Sequence, residues 1–135
     1  MMRPSTHLLR ILAISLSMVT PSVNSDPADA AYVASPAHYQ LLLENDKVVV
    51  MKMTLKPTES DNIHTHHNET VYFEMGGQLR ITPSTGPSFD VNVSSGQVMW
   101  HETWTHQVTN IGETDVVAII VEEQRPNESH QGANK

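Results

Sequence analysis

The sequence predicts an all-β protein, an antiparallel β-sandwich or small barrel, on three observations. Apolar and polar residues alternate in one short stretch after another, Gly, Pro, Asn and Asp separate those stretches, and nothing after residue 30 carries a helical apolar period.

Residues 1–30 read as an export signal ahead of that fold. Arg3 and Arg10 give a positive start, residues 11–19 form an apolar run, and Pro21 breaks it before the small residues Ala28-Asp29-Ala30. The run is far shorter than the roughly 20 apolar residues of a membrane-spanning helix. Cleavage after Ala30, or earlier after Ser25, leaves one small domain over 31–124 and a polar tail over 125–135 expected to be disordered. The expected location is secreted or periplasmic, with no membrane contact once the signal is removed.

The first clear strand covers 48–56, where Val49, Met51, Met53 and Leu55 alternate with Lys52, Thr54 and Lys56 before Pro57 ends it. Val71, Phe73 and Met75 alternate with Tyr72 and Glu74, and Leu79 and Ile81 with Gln78, Arg80 and Thr82. Gly76-Gly77 between these runs reads as a hairpin turn using positive φ. Pro83, Gly86 and Pro87 precede a strand of Phe89, Val91 and Val93, and Ser94-Ser95-Gly96 is the next turn. Short strands follow over 98–101 and 106–111. The unbroken apolar run 116–121 has the pattern of a strand buried on both faces. The total is about seven or eight strands, in keeping with a sandwich or barrel.

There are no cysteines, so disulfides and thiolate ligands are both excluded, and imidazole and carboxylate remain as the strong metal donors. The net charge is −7, and removing the leader leaves it unchanged because Arg3 and Arg10 depart with Asp26 and Asp29. An acidic surface disfavours nucleic acid and anionic membranes as partners.

His64-Thr65-His66-His67 is the stretch that carries chemistry. Alternate residues of a strand share a face, so His64 and His66 converge while His67 points elsewhere. His67 is then a loop residue or a supporting donor. A third nitrogen must come from a distant segment, and His106 is the candidate. His38 carries no signal and His130 lies in the polar tail. Trp104 and His101 lie in the segment leading to His106 and are candidate pocket residues with Tyr72 and His67. Core packing is the simpler reading of Trp100 and of Met51, Met53, Met75 and Met99. Asn-x-Ser/Thr triplets occur at Asn68, Asn92 and Asn127; the first falls in the proposed site loop, where a glycan would obstruct it.

The run from His64 to Ile81, with its His-x-His pair, nearby Glu69 and Gly76-Gly77 turn, resembles the first motif of the cupins. His106-Gln-Val-Thr-Asn110 resembles their second motif. The resemblance covers about residues 39–123 and implies a small jelly-roll barrel. It departs from the family in two places: His101-Glu102-Thr103 stands where Pro-x-Gly is usual, and the usual glutamate position falls near Thr70 or Val71. Glu69 is the only carboxylate nearby and a candidate fourth ligand, yet a strand turning Thr70 and Tyr72 inward turns Glu69 outward unless a bulge shifts the register.

The resemblance implies a divalent transition metal, iron, manganese, zinc, copper or nickel, held by His64, His66 and His106. It also implies oxidation or isomerisation of a small polar organic molecule, with Glu69, His67 or His101 available for proton transfer. A non-catalytic module that binds a small ligand or metal is the alternative reading. Pairing through edge strands makes a homodimer the expected assembly.

Overall fold

The computed structural model describes residues 29–124, so the expected export signal up to residue 28 and the expected disordered tail over 125–135 lie outside the described residues. A single helical turn, α1 (Ala31–Ala34), buries Ala31 and leads into nine strands among the described residues. These are β1 (Tyr39–Glu44), β2 (Val48–Leu55), β3 (His64–His66), β4 (Glu69–Met75), β5 (Gly77–Pro83), β6 (Phe89–Val93), β7 (Val98–His101), β8 (Trp104–Asn110) and β9 (Val116–Glu123). They form two antiparallel sheets, one in the order β1-β2-β9-β4-β7 and the other β3-β8-β5-β6. This is the all-β sandwich that the alternation predicts.

One strand carries no readable pattern. In β1 only Tyr39 is buried, and Leu41, Leu42 and Leu43 are all exposed, so no period of two marks it. It forms by pairing with β2, through a bulge between Leu41 and Leu43. The clear alternation of β2 turns Val49, Met51, Met53 and Leu55 into the core. Burying each such side chain stabilises the fold by about 2 kcal/mol. Central β9 sits between β2 and β4 and buries Val116, Val117, Ala118 and Ile120, but Val121 is exposed, so the run 116–121 is not buried on both faces along its length: one face of the five-stranded sheet is open there.

Gly76-Gly77 is not a hairpin turn. Strands β4 and β5 lie in different sheets, and the glycines with positive φ are Gly86 and Gly96. What Gly76 and Gly77 supply is room. A Cβ on Gly76 would lie 2.3 Å from the Val93 carbonyl oxygen and 2.7 Å from the Ser94 backbone, and one on Gly77 would lie 2.6 Å from Val116 Cγ2. The chain crosses from sheet to sheet where only hydrogen fits.

Two packing expectations also change. Trp100 is 59% exposed on the outer face of edge strand β7 and is not core. Met75 is exposed because the register of β4 against β9 shifts between Phe73 and Met75, while Met51 and Met53 are buried and Met99 packs against the core. Gln124 closes the domain where the sequence puts its end: its backbone N–H bonds the Lys47 carbonyl at 2.8 Å and its side chain the Asn45 carbonyl at 3.0 Å.

Candidate metal centre

Strand β3 pairs with β8 so that His64 faces His106 and His66 faces Trp104. All three histidines are buried, and one ring nitrogen from each lies within 4.8 Å of the others. Nε2 of His64 and Nε2 of His66 are 3.0 Å apart.

The other ring nitrogens explain that approach. His64 Nδ1 is 2.8 Å from the Asn62 carbonyl oxygen, which only accepts, so Nδ1 carries the hydrogen. His66 Nδ1 is 2.7 Å from Glu122 Oε2 and donates to that carboxylate. Two neutral rings so fixed would point Nε2 lone pairs at each other, an arrangement that requires a proton or a cation between them. On His66, burial opposes the charged form, but the bond to Glu122 and the charges of Glu69 and Glu122 outweigh it and raise the pKa. Burial, then the charge on His66, pulls His64 down to about 4, and burial and the neighbouring histidines take His106 to about 2. His106 Nδ1 is buried without a hydrogen-bond partner. Two preset lone pairs, a third neutral imidazole and that orphaned nitrogen fit a divalent transition metal.

Around the trio lies a layer of acids. Asp61 accepts from the Tyr39 hydroxyl and from the Val108 N–H, each at 2.7 Å, and stands 3.7 Å from His64 Nδ1. Burial pushes its pKa up to about 6 against those bonds. Glu69 is buried. Its Oε1 lies 3.1 Å from His101 Nδ1 and accepts from Trp104 Nε1 at 3.0 Å, while Oε2 has no hydrogen bond and lies 3.4 Å from His66 Nδ1. Burial raises its pKa, but the bond to His101 and the charge of His66 win and hold it below the usual carboxylate range.

The parity of β4 is the reverse of the one that would turn Tyr72 inward. Glu69, Val71 and Phe73 face in, because the apolar pair sets the buried side and Glu69 shares its period. Tyr72 is therefore 45% exposed and outside the cavity described below. Glu69 is grouped with His66 and Glu122, not with the three histidines, so it stands on the Nδ1 side of His66. His67 is half-buried between β3 and β4 and does not reach the cavity. His101 and Trp104 do line it, and the Trp104 ring lies 3.7 Å from that of His106.

Glu122, Asp61 and Tyr39 escaped the sequence reading. Glu122 had a signal: continuing β9 on the parity of Ala118 and Ile120 puts it inside. Asp61 lies in a loop and had none.

A cavity of about 300 Å³ adjoins the histidines. His66, Glu69, His101, Trp104 and His106 form one part of its wall. Tyr39, its hydroxyl bonded to Asp61, stands with them beside the histidines, and the rest is apolar, including Phe73, Leu79, Ile81, Val91, Val93 and Met99; among the described residues no lysine or arginine lines it. That is a different surface from the one a small polar molecule requires.

No known family profile matches this chain. No curated protein matches it either. Solved structures do. A cupin domain from Bordetella pertussis Tohama I, 21% identical, superposes with a TM-score of 0.59 over 64% of this chain and 92% of that one. An uncharacterized conserved protein with a double-stranded β-helix domain from Klebsiella pneumoniae is 17% identical, with a TM-score of 0.53 over 91% of this chain and 95% of that one. An RmlC-like cupin family protein with the same fold from Methanocaldococcus jannaschii is 13% identical, with a TM-score of 0.52 over 67% and 82%. At these identities the likeness is one of fold.

Proposed function

The chain has the cupin fold, and we propose that it is an exported metalloprotein that holds one divalent transition metal through His64, His66 and His106 and acts on a small organic molecule in the adjoining cavity. The convergence of His64 Nε2 and His66 Nε2 at 3.0 Å, with both Nδ1 atoms already engaged, carries this reading. The leader-like start supports export.

A metal with an open position supplies Lewis acidity and activates water or dioxygen. The chain's own residues do the rest. Glu122 and the Asn62 carbonyl orient two of the imidazoles, and Asp61 stands behind His64. The apolar wall excludes water, which strengthens each charge inside. Glu69 and His101 form a hydrogen-bonded acid–base pair on the cavity wall, with the His101 side chain 27% exposed, so protons can pass between the cavity and solvent. The reaction class is oxidation or isomerisation.

One observation favours binding without turnover. Both hydrogen bonds to Glu69 converge on Oε1 and hold the one carboxylate lining the cavity in place, with Oε2 3.4 Å from His66 Nδ1 rather than free to move to a ligand. The test loads the purified protein with iron(II), manganese(II), copper(II), nickel(II) or zinc(II) in turn. Dioxygen consumption and product formation are then followed with candidate substrates. Turnover that needs the metal and disappears in His66→Ala supports the enzyme; stoichiometric metal and ligand binding without turnover supports the module.

A further inference from the structure

We infer that the ligand of this cavity is predominantly hydrocarbon, a compact molecule of about ten to twelve non-hydrogen atoms with a single oxygen donor at one end. This rests on the metal-centre reading for the donor end alone; the hydrocarbon end stands on the wall itself.

Polarity changes in order across the second sheet. Its strands run β3-β8-β5-β6. His66 comes from β3, His106 and Val108 from β8, Leu79 and Ile81 from β5, and Phe89, Val91 and Val93 from β6. Neighbouring strands are about 4.8 Å apart, so the histidine edge and the wholly apolar edge are separated by roughly 14 Å. The facing sheet repeats the order along β4, from Glu69 through Val71 to Phe73.

Among the described residues, the wall away from the histidines offers no hydroxyl, amide or cationic side chain. A sugar, polyol or dicarboxylate would lose its water there without gaining partners, whereas hydrocarbon loses nothing. The polar partners are confined to the histidine end, at His66, Glu69, His101 and His106, so a donor group is placed there and nowhere else along the wall. A cavity of about 150 Å³ holds one benzene, and the 300 Å³ here therefore sets the size at about twice that.

Trp100 and Trp104 are the only tryptophans, and Trp100 is exposed on the outer face. Trp100→Phe therefore leaves Trp104, on the cavity wall, as the sole indole reporter. The full chain carrying this substitution, metal-free and zinc-loaded, is titrated with borneol, camphane and tartrate while emission and heat are recorded. Borneol and camphane are expected to shift Trp104 emission and bind with a Kd below about 100 µM, tartrate not to bind, and zinc to tighten borneol but not camphane. Val91→Phe, which fills the hydrocarbon end, is expected to weaken borneol at least about tenfold with its far-ultraviolet dichroism retained; Val91→Leu is the milder second variant. Tartrate binding with no response to borneol or camphane in either form overturns the inference. Zinc failing to bind while borneol still does overturns the metal centre and leaves the hydrocarbon ligand standing.

Discussion

Glu122 Oε2 lies 2.7 Å from His66 Nδ1 across 56 residues of sequence, so the last strand of the barrel sets the tautomer of a histidine on the third. An imidazole backed by a carboxylate is the more basic ligand. Glu122→Gln keeps an acceptor but removes the charge. It is expected to weaken metal binding about 10–100-fold with the fold intact. Competition against a chelator of known affinity reads this directly, and unchanged affinity would show that Glu122 does not support the metal.

The metal-free protein is expected to be most stable near pH 6.5. His64 and His106 are held far below 6.5 when folded, so the unfolded chain binds two more protons there as pH falls and stability drops with it. Asp61, raised from 3.8 to about 6, binds its extra proton in the folded state and opposes them by one over that window. The net loss is about 1.4 kcal/mol per pH unit below pH 6. Above pH 6.5 the raised His66 acts the other way, and its contribution disappears as pH passes its folded pKa. Urea unfolding at a series of pH values tests this, and stability rising steadily from pH 6 to pH 4 would contradict it.

Gly76→Ala tests whether that glycine serves close approach. A Cβ there meets backbone at 2.3 Å, so the crossing must move, at a cost of about 3 kcal/mol. Gly86→Ala is the control: its φ is +95° with nothing within 4 Å, and it should cost only about 1 kcal/mol. Equal melting temperatures for the two variants would refute the packing account.

A homodimer is expected through the outer face of the five-stranded sheet. Tyr72 pairs with Val98 in register, Thr70 pairs with both Trp100 and Val121, and Tyr72, Val98, Trp100 and Val121 are exposed. Light scattering should give twice the chain mass, and Trp100→Glu should halve it. A monomer mass across a wide concentration range would refute the assembly.

Where one face of a strand meets core, the sequence reveals the strand, as β2 and β9 show. Strands that exist through pairing alone, such as β1, leave no period to read. His64 and His66 were legible because a two-residue spacing fixes a face, and His106 through its likeness to the second cupin motif, whereas Tyr72 was misplaced because nothing local decides which face of β4 is inside. Gly76 and Gly77 look alike as turn formers and as contact points, and only the separation of β4 and β5 into two sheets distinguishes these roles. The apolar wall was readable residue by residue, but that its members surround a space rather than fill it is a property of the assembled sheets.

The most direct test of the metal centre is elemental analysis of full-length protein purified without chelators or immobilised metal, beside a His64→Ala/His106→Ala variant checked for folding. About one equivalent of iron, manganese, copper, nickel or zinc per chain, absent from the folded variant, is the predicted result. No metal in the purified protein and no uptake when each ion is titrated into it would contradict the account.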